Sequence, residues 1–221
     1  MSGVVPGLGA IVLCGGESSR MGKAKAWLPF GRELLLQRVV RPVADAARPV
    51  VVVAAPDQAI PDLPASVLVV RDAVRGNGPL QGLLAGLTAL SSLAERAFVA
   101  STDAPFLCPE LVRRMETLRS EGDHDIAVAR AGGRLHPLTA VYRTSLHALV
   151  RDLLERDVRR MTSLFDRART RFVDEPDLLA DAAVREADPD LWSLRNINTP
   201  EDYESALRDA GYPPPEPSTR P

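Results

Sequence analysis

The stretch from Leu13 to Lys25 reads LCGGESSRMGKAK and joins two features suited to an anion. Gly15 and Gly16 carry no Cβ, so a ligand can approach the backbone and meet its N–H groups. Arg20, Lys23 and Lys25 add positive charge to the same loop. A guanidinium grips a phosphate through two parallel hydrogen bonds, whereas an ammonium acts as a point charge. The pattern is neither GxGxxG nor a Walker loop, because Ala24 follows Gly22-Lys23 where a Walker loop carries Ser or Thr. Taken alone, the loop is either a phosphate cradle or a solvated surface turn.

Two aspartates close apolar runs: Asp72 follows VLVV (67–70) and Arg71, and Asp103 follows AFVA (97–100) and Ser101-Thr102. A carboxylate at the end of a buried strand is held rigidly and points into the cleft there. Magnesium takes oxygen ligands and keeps several waters, so one or two carboxylates suffice. Asp103 is therefore a metal ligand or a cap for the helix after Pro105, and Asp72 a ligand contact or a turn residue. His136, in Arg134-Leu135-His136-Pro137, either touches a second substrate or turns the chain. Asn198 precedes Thr199-Pro200 and doubles as a helix start. Arg159 and Arg160 stand before Met161, where a solvated helix start competes with phosphate contact.

These residues sit between elements with clear periodicity. Gly9–Cys14, Pro49–Ala55, Val67–Val70 and Ala97–Ala100 read as buried strands. Helical spacing covers Glu33–Ala47, Leu80–Leu93 and Pro109–Ser120. Apolar strands alternating with amphipathic helices predict an α/β fold with a mostly parallel twisted sheet and helices on both faces. In the second half, strands are expected at Asp125–Ala129, Leu138–Tyr142 and Arg171–Asp174, and helices at Ser145–Arg156, Met161–Ala168 and Pro200–Ala210. Trp27 and Phe30 read as core aromatics. Residues 212–221 hold five prolines and no apolar pattern, so the chain divides into one domain over 1–211 and a disordered tail.

Composition narrows the function classes. The 221 residues suffice for one α/β domain, and the net charge of −2 gives no basic field for bulk nucleic-acid binding. Cys14 and Cys108 are too few for a disulfide framework. Met1–Gly9 lacks a signal-type pattern, and no run approaches the roughly 18 apolar residues of a membrane span. A cytoplasmic monomer or weak homo-oligomer is expected, without nucleic-acid or membrane partners.

LCGGESSRMGKAKAWLPF resembles the signature of the molybdenum cofactor guanylyltransferases, roughly Leu-x-Gly-Gly-x-Ser-x-Arg-Met-Gly-x-Asp-Lys-x-x-Leu, within the nucleotide-diphospho-sugar and NTP transferases. The likeness continues in order through GPLQGLLAGL (78–87), DAPFL (103–107), HPL (136–138) and NINTPED (196–202). It spans about residues 9 to 208, and five ordered blocks are more specific than any one. The resemblance implies a Rossmann-like sheet of the nucleotide-diphospho-sugar transferase type. It also implies transfer of GMP from GTP to a molybdopterin-type phosphorylated acceptor, with Mg²⁺ as cofactor. Leu13, Cys14, Gly15 and Gly16 would hold the nucleotide, Lys25 and Arg20 its phosphates, and Asp72 would contact it. Asp103 would bind the metal. Gly78, His136, Asn196 and Asn198 fall where such enzymes meet the acceptor or metal.

Two departures stand out. The family usually has Asp immediately before the loop lysine, where this chain has Ala24. It also often shows a polar residue such as Asn near the end of the second strand, whereas VAAP (53–56) offers none. Recognition there must use backbone or other groups. Ala-Ala-Gly, typical of the cytidylyltransferase for the same cofactor, is replaced here by Cys14-Gly15-Gly16, which favours guanine. A sugar-phosphate nucleotidyltransferase and a non-catalytic nucleotide-binding module are the remaining alternatives.

Overall fold

Continuous apolar strands need cover on both faces, and the chain supplies it by alternating them with helices. A computed structural model describes residues 3–15, 24–72 and 78–213. Its first half contains β1 (Leu8–Leu13), β2 (Pro29–Phe30), β3 (Glu33–Leu34), α1 (Leu35–Ala46), β4 (Val50–Ala54), β5 (Val67–Arg71), α2 (Pro79–Leu90), β6 (Arg96–Ser101) and α3 (Pro109–Glu121). Its second half contains β7 (Ile126–Ala131), β8 (Arg134–Arg143), α4 (His147–Glu155), β9 (Thr170–Asp174), α5 (Glu175–Leu179), α6 (Ala182–Ala187) and α7 (Pro200–Asp209). The main sheet runs β5-β4-β1-β6-β8-β7-β9, and β2 and β3 form a separate hairpin. β8 is antiparallel to both its neighbours, and the other pairings in the sheet are parallel. This is the mostly parallel α/β sheet expected from the alternation.

β1 shows why its residues are apolar throughout. Leu8, Ala10 and Val12 share a core with Val39 and Val43 of α1 and Leu111 and Met115 of α3. Ile11 and Leu13 point to the other face, against Leu83 and Leu87 of α2. Burying each of these side chains larger than alanine contributes roughly 1.5–3 kcal/mol.

α2 approaches β1 through two glycines. A Cβ on Gly86 would lie 2.6 Å from Ile11 Cγ2, and one on Gly82 would lie 3.2 Å from Leu13 Cδ2. Gly82 is in the first turn of α2 and Leu13 ends β1, so the helix N-terminus is brought to the carboxyl end of the strand. Gly78, just before that turn, has φ +77° and leads into Pro79, a favourable first residue.

A third, smaller core joins the hairpin to the end of the chain. Leu28, Phe30 and Leu35 pack with Ile197, Tyr203, Ala206 and Leu207. Tyr212 extends it: its ring meets Phe30 edge-on at 5.6 Å and its N–H donates to Leu207 O at 2.8 Å. Tyr212 thus packs against the fold at the first position of the expected tail. Residues 214–221 lie outside the described residues.

Three further expectations are corrected. β5 was expected to be buried because VLVV is continuous, but it is an edge strand, with Leu68 42% and Val69 44% exposed. Met161–Ala168 forms only a 3₁₀ turn over Met161–Leu164, because Met161 and Leu164, three apart, both face the core. Trp27 is 44% exposed, whereas Phe30 is buried as expected. Among the described residues, no helix is long and apolar enough to cross a membrane.

Gly86→Ala should cost about 1–2 kcal/mol, because overpacking against Ile11 outweighs the gain in helix propensity. The urea midpoint reads this directly, and a stabilised variant would show that α2 has slack against β1.

Candidate active site

The sheet order fixes where a ligand can bind. From β1 the chain moves to β4 and β5 on one side, then crosses to β6 on the other. In open α/β sheets the crevice forms at that reversal, beyond the carboxyl ends of the strands. By that rule its place here is between Leu13–Gly15, at the end of β1, and Ser101–Asp103, at the end of β6.

The two strand ends are tied together. Thr102 donates to Leu13 O from both its N–H and its hydroxyl, each at 3.1 Å. On the far side, Cys14 N–H donates to Val53 O at 2.8 Å. Gly15 is exposed, and a Cβ there would meet Ala55 N at 3.7 Å, an ordinary contact. Packing among the described residues therefore does not require glycine at 15, and the open backbone suits a ligand. Burial raises the pKa of the Cys14 thiol, with hydrogen bonds from Thr102 and Gln58 opposing, so it is no ready nucleophile.

Lys25 and Asp103, 78 positions apart, meet across this crevice. Lys25 Nζ lies 3.1 Å from Asp103 Oδ2 and donates to Ile197 O at 2.6 Å. Both side chains are about one-fifth exposed, at 21% and 18%. Ser101 Oγ donates to Asp103 Oδ1. Asp103 is not a helix cap: α3 starts at Pro109, with Cys108 in the cap position.

Ile197 is itself held in place. Its N–H donates to Asp103 O at 2.8 Å, and Asp202 accepts the N–H groups of Asn198 and Thr199 at 2.9 Å each. Thr199, not Asn198, caps α7, because Thr199 Oγ1 accepts Asp202 N–H. Those backbone bonds, from Asn198 first, hold the Asp202 carboxyl below its ordinary pKa. Asn196 is half-buried and Asn198 exposed, flanking the carbonyl that Lys25 grips. The third core then explains the meeting of the two ends, since it packs the residues just after Lys25 against Ile197 and α7.

An α/β switch-point crevice with a lysine–aspartate pair at its mouth is the geometry against which known proteins can be compared. Residues 10–171 match the MobA-like NTP transferase domain, well over half of the chain. The chain belongs to that family. This transferase is 40% identical over 195 residues to the probable molybdenum cofactor guanylyltransferase of Mycobacterium tuberculosis H37Rv, covering 87% of this chain and 89% of the relative. It is 36% identical over 198 residues to the protein of the same name from Mycobacterium avium, covering 88% and 92%. The molybdopterin-guanine dinucleotide biosynthesis protein A of Archaeoglobus fulgidus has the same fold, with a TM-score of 0.73 at 21% identity and coverage of 91% and 98%. The 2-C-methyl-D-erythritol 4-phosphate cytidylyltransferase of Thermus thermophilus also shares it, at TM-score 0.64, 16% identity and the same coverages.

The remaining site candidates of this transferase divide by position. Asp72 is half-buried just after β5, and its N–H donates to Ala54 O at 2.8 Å. It shares the carboxyl edge of the sheet with Asp103, but β4 separates it from β1. Gly78 is exposed at the start of α2. Arg159 pairs with Asp157 at 2.7 Å. Gly16 and Arg20 lie outside the described residues.

His136 stands on β8. Val99 of β6 pairs with Ala140 in antiparallel register, so the residues before Ala140 run toward the Asp103 edge. Between His136 and Ala140 the strand arches, with Tyr142 hydroxyl donating to Pro137 O at 2.8 Å. Burial lowers the His136 pKa from 6.5, and Arg134 adds to this against a hydrogen bond with Ala131.

Gln58, which no sequence motif marks, and Trp27, which reads as a core aromatic, help build the site. Gln58 donates to Cys14 O at 2.9 Å and accepts Ala55 N–H at 3.1 Å. A polar side chain thus reaches the end of β1 from four residues past β4, where VAAP offers none. The exposed Trp27 donates its indole N–H to Ala59 O at 3.0 Å, two positions from Lys25. A Pro-Asp-Gln turn signal after VVVVAA was the available hint.

The pH dependence of His136 follows from its shift. Well above pH 6.5 it is neutral in both states and contributes nothing; as pH falls through 6.5 the unfolded chain takes the proton first, so stability drops. His136→Gln should therefore lose less stability than wild type between pH 7 and the folded pKa. Parallel urea titrations at both ends of that window check this, and equal losses would remove His136 as a buried neutral group.

Proposed function

We propose that this nucleotidyltransferase moves GMP from GTP to a molybdopterin-type acceptor and releases pyrophosphate. The observation that carries the reading is the Lys25–Asp103 pair at the β1/β6 switch point. The names of relatives at 36% and 40% identity support the choice of guanylyl transfer.

An oxygen of the acceptor's terminal phosphate attacks the α-phosphorus of GTP, the new P–O bond forms, and the bond to the pyrophosphate oxygen breaks. A phosphate is already ionised at neutral pH, so no side-chain nucleophile is required. The protein supplies positioning and charge neutralisation. Lys25 exchanges Asp103 for phosphate oxygens and stabilises charge on the leaving pyrophosphate, with Arg20 proposed to assist. Leu13–Gly16 present backbone to the nucleotide, and Asp72 contacts it from the β5 side. Gly78, His136, Asn196 and Asn198 are assigned to the acceptor side.

Among the described residues no group of three His, Cys, Asp or Glu side chains could enclose a metal. Asp103, one carboxylate at the crevice mouth with the Asn196 and Asn198 amides on the neighbouring segment, fits a magnesium ion that keeps water and phosphate ligands. When bound there, magnesium supplies charge neutralisation at the phosphate oxygens.

Asp103→Ala should abolish turnover and the Mg²⁺ dependence of GTP binding, as read by pyrophosphate release and calorimetry. A normal rate would place the metal elsewhere. Lys25→Ala should weaken GTP by roughly 1.5–3 kcal/mol, about 10- to 150-fold in Kd. An unchanged Kd would remove Lys25 from the site. GTP and CTP titrated side by side test the base, and tighter CTP binding would overturn the guanine assignment.

A further inference from the structure

The geometry points to Gln58 as a positioning residue for the nucleotide: its amide locks the Cys14–Gly15 peptide so that the Gly15 N–H faces the crevice. This rests on the nucleotide site proposed above.

A trans peptide is planar, and its C=O and N–H point in opposite directions. Cys14 N–H donates to Val53 O, on the β4 side, and Cys14 O accepts from Gln58 Nε2, whose segment continues from β4. The next N–H, that of Gly15, must then point away from β4. That is the direction of β6, where Thr102 and Asp103 stand. A peptide preceding glycine turns over easily, because glycine tolerates both signs of φ. Nothing in β-sheet pairing prevents this, since β1 ends at Leu13 and β4 at Ala54. The Gln58 bond holds this carbonyl on the β4 side.

Gln58 is itself braced. Its Oε1 accepts Ala55 N–H at 3.1 Å, which closes the turn after β4. Arg71 Nη1 donates to Ala55 O at 3.2 Å and to Gln58 O at 2.5 Å, fastening that turn to β5. Trp27 grips Ala59 O, and Gln37 Nε2 donates to Asp62 O at 2.9 Å. One short segment after β4 therefore touches the end of β1 through Gln58 and the Lys25 turn through Ala59. The relative position of the Gly15 backbone and the Lys25 ammonium depends on it.

Glu and Lys at position 58 separate the two halves of the amide. Gln58→Glu can still accept Ala55 N–H but cannot donate to Cys14 O; Gln58→Lys can donate but cannot accept. Guanosine is used beside GTP because it is uncharged and insensitive to the altered charge. For both nucleotides Gln58→Glu should raise Kd about tenfold, the scale of one lost hydrogen bond, while Gln58→Lys keeps guanosine near its wild-type Kd. In turnover Gln58→Glu should raise KM for GTP and leave kcat within about threefold, because the groups at the phosphates are untouched. Gln58→Met, which can neither donate nor accept, should match Gln58→Glu toward guanosine and covers the case in which a charged variant does not fold. Guanosine affinity that follows the acceptor, or that no substitution changes, overturns the assignment. Wild type binding neither GTP nor guanosine would instead sink the nucleotide reading beneath it, so the two failures are distinguishable.

Discussion

The Lys25 ammonium is held between a carboxylate from the end of β6 and the Ile197 carbonyl, 78 and 172 positions away in the chain. A half-buried charge needs such partners, because desolvation without them costs several kcal/mol. This requirement organises much of the structure around it. The small core of Leu28, Phe30, Ile197 and Tyr203 carries little of the total burial, yet it brings the lysine to the aspartate. Asp202 spends its carboxylate on two backbone N–H groups, which keeps the Ile197 carbonyl aimed. Asn-Thr-Pro-Glu-Asp (198–202) thus starts a helix and holds a site segment with the same atoms.

The opposite wall of the crevice depends on close packing rather than charge. Gly82 and Gly86 allow α2 to lie on Leu13 and Ile11, where larger residues would hold it off. This sets the first turn of α2, where N–H groups have no partner within the helix, at the end of β1. The glycines of GPLQGLLAGL therefore differ in purpose: Gly78 supplies a positive φ, and the other two supply proximity.

Much of this was legible in the sequence because periodicity and end signals report local constraints. β1, β4, β6, α2 and α3 were placed to within three residues at their ends, and Leu13, Cys14, Lys25 and Asp103 were singled out. What escaped depends on partners distant in sequence. VLVV looks identical in a central and an edge strand, and only the sheet order exposes Leu68 and Val69. Trp27 reads as core by composition, yet its indole N–H is used by Ala59 O at the surface. Tyr212 sits among prolines, but it packs on Phe30 and lies over Gly31. Gln58 stands beside Asp57 in a turn, and no period or motif ties it to Cys14.

In the proposed reaction the charge balance of the crevice decides how the Asp103 carboxylate can stand beside a polyanionic substrate. Without nucleotide, Lys25 and the Ser101 hydroxyl offset Asp103. A triphosphate bound as proposed would compete for the same ammonium, and one lysine cannot neutralise both. The net charge of −2 offers no general positive field to make up the difference. Two anionic groups a few ångströms apart repel by about 4 kcal/mol at an effective dielectric of 20, so their close approach requires further positive charge. The proposed magnesium and the basic residues of the glycine-rich loop would meet that need. On this argument the proposed metal answers a charge imbalance that the Lys25–Asp103 pairing itself sets up.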